Sequence, residues 1–234
     1  MKNTLSRSFS AFVSLFFPKL CPACHSPLSV HEKVICWYCQ MSLPQTFHYN
    51  DPHNSLWQKM NEFLQVENAV ALFDFQKNSR IASLLHALKY RGNQQIGAFL
   101  ANWLAPLLIQ SEVFREVDAI LPLPLHPTRH KSRGYNQVQL FSERLAHHLE
   151  IPVIHDLVFR KKKTRQLAMM KQMDRWKEVE EAFGVNKDRH YVPQHWLLVD
   201  DVITTGATIS SCGKVILEGC GGRISIVSLA SRLS

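Results

Sequence analysis

The stretch "LLVDDVITTGAT", residues 197–208, begins as a buried strand, turns abruptly to two adjacent carboxylates and ends in small and hydroxyl-bearing residues. Consecutive branched apolar side chains suit a strand covered on both faces, as in a parallel sheet. In such sheets ligands sit beyond the carboxyl ends of the strands, where loops lead into helices. Asp200 and Asp201 therefore fall at the mouth of a crevice. Thr204, Thr205, Gly206, Ala207 and Thr208 supply the turn and the first positions of the next helix. Small side chains let backbone N–H groups approach an oxyanion, threonine hydroxyls add donors, and the helix N-terminus adds the positive end of its dipole. The pattern predicts a phosphate cradle preceded by two carboxylates that suit the hydroxyls of a sugar or a divalent cation. An ordinary helix cap beside a surface acidic pair would use the same residue types.

Outward from this stretch, strand-like and helix-like segments alternate. "AVALFDF" at 69–75 reads as a strand, Ile81, Leu84, Leu85 and Leu88 make one helical face, and "DAILPLPL" at 118–125 is a strand ended by prolines. "NQVQLFSERLAHHL" returns to helical spacing, "ATISSCGKVILEG" is a helix closed by Gly219, and "RISIVSLA" is a final strand. This alternation predicts an α/β fold with a mainly parallel sheet and right-handed crossovers over residues 65–234. No internal repeat is visible.

The 46% hydrophobic and 20% charged fractions of the 234 residues are those of a folded chain and argue against disorder as its main character. A formal net charge of +8 favours phosphate-bearing partners without naming one. No run reaches the roughly 18 apolar residues of a transmembrane helix. At the N-terminus, Leu5, Phe9, Phe12, Val13 and Phe16 recur at helical spacing, so residues 1–18 read as an amphipathic helix. It would either pack on the protein or touch a membrane surface. The stretch lacks a small-x-small cleavage pattern, which argues against secretion and for a cytoplasmic protein, in contact with the inner face of the membrane if the helix docks there.

Cysteines give a second local pattern: Cys21-Pro-Ala-Cys24, eleven intervening residues, then Cys36-Trp-Tyr-Cys39. Two such turns aim four thiolates at one point, the donor set of tetrahedral Zn²⁺ with Zn–S bonds of about 2.3 Å. Residues 19–45 thus read as a structural zinc ribbon, its intervening "HSPLSVHEKVI" strand-like; a disulfide pair is the alternative in an exported protein. Cys212 and Cys220 lie apart, in apolar surroundings.

The order of strand, Asp-Asp and Thr-Thr-Gly-x-Thr resembles the phosphoribosyl pyrophosphate motif of type I phosphoribosyltransferases. By that resemblance, the chain adopts their fold, Thr204–Thr208 hold the 5-phosphate, Asp200 and Asp201 face the ribose hydroxyls as catalytic residues, and Mg²⁺ accompanies phosphoribosyl pyrophosphate. "LKYRGN" at 88–93, "LPLPLHPTRHKSRGYNQ" at 121–137, the closing "LASR" and the four cysteines together look like the ComF competence family, also called GntX-like. That resemblance covers roughly Cys21 to Arg232 and implies a part in natural transformation. Its implied partners are single-stranded DNA and an uptake helicase. One segment departs from the family pattern: Thr164-Arg-Gln166 is one residue shorter than its usual Thr-x-x-Gln.

Phosphoribosyl transfer needs a held 5-phosphate, positive charge on the pyrophosphate and a positioned acceptor. Pro124, Leu125 and His126, followed by basic residues, suit the pyrophosphate; no residues announce an acceptor pocket. Guanidinium groups beside a tyrosine also suit single-stranded nucleic acid. Three clusters qualify: Arg129, Lys131, Arg133 and Tyr135; Arg160, Lys161, Lys162, Lys163 and Arg165; and Lys89, Tyr90 and Arg91. Each could equally be a solvated basic face. Two functions from different classes follow: a DNA-uptake accessory with a phosphosugar pocket, or a working phosphoribosyltransferase on an unknown acceptor.

Overall fold

The computed structural model describes residues 18–90, 92–161, 182–186 and 194–232. The expected N-terminal helix, Arg91, Lys162, Lys163, Thr164, Arg165 and Gln166 lie outside them. In chain order the elements are α1 (Trp37–Ser42), α2 (Ser55–Asn61), β1 (Ala69–Asp74), α3 (Arg80–Tyr90), α4 (Gln95–Ser111), β2 (Ala119–Pro122), α5 (Pro127–Arg133) and α6 (Gln139–Leu149). They continue as β3 (Val158–Arg160), β4 (Phe183–Val185), β5 (His195–Ile203), α7 (Ala207–Cys220) and β6 (Arg223–Ser231).

Four strands form one sheet in the order β1-β6-β5-β2, every neighbouring pair parallel. The short pair β3 and β4 is antiparallel and stands apart. Alternation along each strand divides the core. Val70, Leu72, Leu197, Val199, Val227 and Leu229 face one apolar cluster, which α3, α4 and α6 complete. Ala69, Ala71, Trp196, Leu198, Ile224 and Ile226 face the other, which includes α2 and α7. Each fully buried Leu or Ile contributes about 1.5–3 kcal/mol.

The sheet's right side ends early, and this opens the crevice. β2 pairs with β5 only as far as Pro122 opposite Val199, with Leu123 N–H adding a bond to the Val199 carbonyl at 2.9 Å. β5 runs on beside β6 alone, with Asp200 opposite Ser228 and Ile203 opposite Ser231. The carboxylate pair therefore emerges where the second neighbour of β5 has turned away.

The cysteine segment is not a separate body. Cys21, Ala23, Ile35, Cys36, Cys39 and Leu43 share one apolar cluster with Leu84, Leu85 and Leu88 of α3. The connecting chain is pinned along the edge of β1: Gln45 bridges Phe73, Thr46 N–H donates to the Leu72 carbonyl at 3.1 Å, and Asp74 N–H donates to the Pro44 carbonyl at 2.8 Å. An edge that would otherwise expose free backbone groups is thereby covered.

Two local expectations change. The segment between the cysteine pairs holds no strand; Leu20 and Pro27 form a single isolated bridge, and the second pair opens α1. Helix α7 closes at Gly221, φ +70°, rather than at Gly219. Gly219 instead gives room to β4, since a Cβ there would sit 3.2 Å from Val185 Cγ2. Among the described residues no helix is long and apolar enough to cross a membrane.

Candidate functional site

Adjacent residues in a strand project to opposite faces, and the two aspartates meet different neighbours. Asp201, only 7% exposed, faces α3 and α6. Its Oδ2 lies 2.7 Å from Lys89 Nζ and accepts a hydrogen bond from Gln137 Nε2 at 3.1 Å. Its Oδ1 accepts from Val202 N–H at 2.8 Å. Asp200 faces the other way, within the fields of Cys212 on α7 and Arg160 on β3. Burial, reinforced by the Asp201 charge, holds the Asp200 carboxyl well above the usual carboxylate range. Burial and the Asp200 charge likewise push the Cys212 thiol up.

Beyond Ile203 the chain makes the expected turn. Thr204 and Thr205 are exposed, whereas Gly206 is buried with φ +78° at the N-terminus of the 14-residue α7. That left-handed conformation favours glycine. A Cβ at Gly206 would also approach Met60 Sδ to 3.0 Å. The first turn of α7 carries no acidic residue, so its positive dipole end stays uncompensated. Exposed hydroxyls and the first N–H groups of α7, of which that of Ala207 donates to Thr205 Oγ1 at 3.4 Å, thus stand one turn of chain from the carboxylate pair.

The loop after β2 supplies the third side. Pro124, Leu125 and His126 are half-buried there, and His126 Nδ1 accepts from Thr128 N–H at 3.3 Å, capping α5. Arg129 and Lys131 are exposed on α5. Arg160 is half-buried, its guanidinium 5.3 Å from the Phe183 ring; burial and the Arg129 charge pull its pKa down while Asp200 opposes them. Arg133 donates from Nη1 to Gln137 Oε1 at 2.7 Å and from Nη2 to Tyr90 Oη at 3.2 Å. A continuous chain of contacts therefore runs Tyr90, Arg133, Gln137, Asp201 and Lys89.

The structure redistributes the basic residues that the sequence assigned to nucleic acid. Lys89 and, through Gln137, Arg133 turn to the carboxylate pair. Tyr135 is half-buried and donates its hydroxyl to the Leu88 carbonyl, fastening the end of α3. Lys161 remains exposed. Gln137 and Arg160 had not been linked to the phosphosugar site. Gln137 closes the "RGYNQ" run and Arg160 opens the basic run, but nothing local in either run points to Asp200 or Asp201.

At the other end of the molecule, the Sγ atoms of Cys21, Cys24, Cys36 and Cys39 all lie within 4.8 Å of one another, with Cys24 and Cys36 at 3.6 Å. Four sulfurs on a tetrahedral ion at about 2.3 Å stand about 3.8 Å apart, so the cluster fits a metal such as Zn²⁺. Cys36 N–H points at Cys21 Sγ and Cys39 N–H at Cys36 Sγ, each at 3.4 Å, which would favour thiolates. Burial pushes the Cys39 thiol up, a tendency that a coordinated cation reverses. Cys212 is buried and Cys220 half-buried, both free.

No protein-family model matches the chain. Competence protein F of Haemophilus influenzae is 37% identical over 100 residues, which are 42% of this chain and 44% of that protein. Competence protein ComFC of Bacillus subtilis is 27% identical over 206 residues, 86% of this chain and 78% of that one. DNA utilization protein YhgH of Salmonella typhimurium is 26% identical over 234 residues, 94% of this chain and the whole of that one. The chain is thus similar in sequence to competence and DNA utilization proteins. The match to competence protein F spans less than half of either protein, whereas that to YhgH runs the whole length of that protein. Among solved structures, adenine phosphoribosyltransferase of Thermoanaerobacter pseudethanolicus matches at 17% identity and a TM-score of 0.37, over 74% of this chain and 98% of that one. That of Saccharomyces cerevisiae matches at 20% and 0.36, over 76% and 88%. The parallel sheet of the chain itself, in the order β1-β6-β5-β2, defines its fold.

Proposed function

We propose that this protein is a member of the ComF competence family that takes part in DNA uptake, binding single-stranded DNA and carrying a pocket for phosphoribosyl pyrophosphate or a related phosphosugar. The observation behind the pocket is the meeting of a carboxylate pair, a threonine-glycine turn on a helix N-terminus and basic side chains from α3, α5 and β3. Thr204, Thr205, Gly206, Ala207 and Thr208 would take the 5-phosphate through backbone N–H groups and hydroxyls. Asp200 and Asp201 would take the ribose hydroxyls, while Arg129, Arg160 and the loop Pro124–His126 face the pyrophosphate. Mg²⁺, when bound with the ligand, would neutralise pyrophosphate charge. Lys89 would have to yield or share Asp201 as the ligand enters. The cysteine cluster would hold one structural Zn²⁺.

The role in DNA uptake rests on the names of the relatives and on the net charge of +8. It implies a cytoplasmic protein, with an uptake helicase and the inner membrane face as further contacts. A working phosphoribosyltransferase is the second reading, favoured by the presence of both carboxylates beside a complete cradle.

The deciding experiment is thermal unfolding with Mg²⁺ and phosphoribosyl pyrophosphate, beside an Asp200→Asn, Asp201→Asn variant. Ligand at about 100 times its Kd should add roughly 2.7 kcal/mol to the native protein and nothing to the variant. Equal curves with and without ligand would overturn the pocket. Pyrophosphate release on adding nucleobases would favour the enzyme.

A further inference from the structure

Helix α3 ends in the same contact at both extremities. At its start the Arg80 guanidinium lies 4.8 Å from the Tyr38 ring, and its Nη1 donates to Ser42 Oγ at 3.1 Å, tying the helix to the cysteine segment. At its finish the Arg133 guanidinium lies 5.0 Å from the Tyr90 ring. These rings are not core residues: Tyr38 is 52% exposed, Tyr90 61%, and Trp37, edge-on to Tyr38 at 6.3 Å, 68%. Exposed aromatic surface of this extent, held in place by guanidinium groups, is the chemistry on which unpaired bases stack.

The two stations share one side of the helix. At 100° per residue, Arg80, Ser83, His86 and Tyr90 fall within about 120° of its circumference. The His86 ring leans on Tyr90 at 4.8 Å with a 39° tilt, extending the platform back along the helix. Ala87, the small residue within the same arc, lines a cavity of about 450 Å³ together with Leu20, Pro22, His25, Gly92, Asn93 and Cys21, the last a member of the cysteine cluster. That volume is in the range of small-molecule ligand pockets. Ten residues of helix separate the stations by about 15 Å, room for about four stacked nucleotides at 3.4 Å each.

We infer that a single-stranded nucleic acid lies along α3, its bases stacked on Trp37 and Tyr38 at the cysteine end and on His86 and Tyr90 at the crevice end, with a nucleotide in the cavity between. This rests on the proposal that the protein binds single-stranded DNA, and names where. The strand would reach the phosphosugar crevice through Arg133, which holds both Tyr90 and, via Gln137, Asp201. Its stations are aromatic rings, whereas Lys131 and Lys161, the exposed cations that sequence suggests first, are not among them.

The test is binding of a fluorescent oligothymidylate of about ten nucleotides to the full chain. Tyr38→Ala and Tyr90→Ala should each weaken affinity about tenfold or more, Tyr38→Phe and Tyr90→Phe should retain it, and Lys131→Ala with Lys161→Ala should change it little. Metal content and melting temperature, measured alongside, show that each variant is folded. Photo-crosslinking with 5-iodouracil in the same oligonucleotide should label Trp37, Tyr38, His86 or Tyr90. If the wild-type protein binds no oligonucleotide, the DNA proposal fails and this inference with it. If it binds but both alanine variants bind equally well, or crosslinks fall on none of Trp37, Tyr38, His86 and Tyr90, the strand lies elsewhere and only this inference fails.

Discussion

The cysteine cluster and the carboxylate crevice are built in opposite ways. All four thiols come from one short stretch, Cys21 to Cys39, and their neighbours Ile35 and Leu43 are buried with Leu84 and Leu85 in the main core. The crevice draws Lys89 from α3, Gln137 from the turn before α6, Arg160 from β3, Asp200 and Asp201 from β5 and the cradle from α7. The first is a local knot that the fold has absorbed. The second is a charged gap that exists only because β2 stops opposite Val199. One should therefore fail through stability and the other through binding.

The largest expected effect tests the absorbed knot. Cys21 and Cys39 are fully buried, so removing a coordinated metal would leave unpaired thiols inside the shared core. Metal analysis should find about one zinc per chain. Chelation, or Cys39→Ser, should lower the single melting transition by about 10 °C or more, several kcal/mol for a chain of this size. A small separate transition for the cysteine segment, with the main one unmoved, would show that the shared apolar cluster does not couple them.

The next effect belongs to the crevice. Lys89 and Asp201 form an ion pair with side chains 24% and 10% exposed, so each is costly to leave alone. Lys89→Met should destabilise the protein by about 1–3 kcal/mol, and Asp201→Asn by a similar amount, while the double variant should lose less than the sum. A double-mutant cycle in urea reads the difference. Strict additivity would mean that the two charges do not depend on each other.

How far the sequence could be read follows the same contrast. The spacing of Cys21, Cys24, Cys36 and Cys39 carries its own geometry, and "LLVDDVITTGAT" carries strand, carboxylates and cradle in one run. Both were legible because backbone conformation alone brings their atoms together. Lys89 looked like one more surface cation, and Gln137 like the end of a basic run. Only the order β1-β6-β5-β2 and the early end of β2 bring them to Asp201. Tyr135 shows the same limit: nothing local announces the bond its hydroxyl donates to the Leu88 carbonyl, 47 residues away. Gly219 and Gly221 are equally good helix stops in sequence, and packing of Val185 against the first decides between them.

The two aspartates allow a comparison within the crevice by pH. Burial beside Asp201 raises the Asp200 pKa in the folded chain above its unfolded value near 3.8. Between those two values the folded state binds more protons than the unfolded state, so stability must fall as pH rises through the window. Asp200→Asn should remove that decline, so the variant should gain stability relative to wild type as pH rises toward neutral. Melting curves of both proteins from pH 4 to 8 provide the check. His48 gives the opposite sign as an internal standard: burial lowers its pKa to about 4, so its neutral form stabilises the fold above its unfolded pKa near 6.5, and that contribution is lost as pH falls toward 4. If Asp200→Asn leaves the profile unchanged, the carboxyl is ionised in the crevice and the pair tolerates two adjacent charges.

The smallest effect on stability should be the most informative about binding. Gly206→Ala places a Cβ in a left-handed conformation, at a cost of about 1–2 kcal/mol, partly offset by the reduced freedom of the unfolded chain. The nearest atom, Met60 Sδ at 3.0 Å, ends a flexible side chain and can move. A net loss of about 1 kcal/mol is therefore expected by urea unfolding. The turn that presents the α7 N–H groups should shift more than the core beneath it, because the strain falls on its φ angle. Binding of phosphoribosyl pyrophosphate should weaken by more than the stability loss alone would produce, since a folded variant has already absorbed that loss before any ligand arrives. An alanine variant that melts lower yet binds as wild type would separate the two, showing that Gly206 serves the packing of α7 on α2 and that the phosphate is held by the threonine hydroxyls instead.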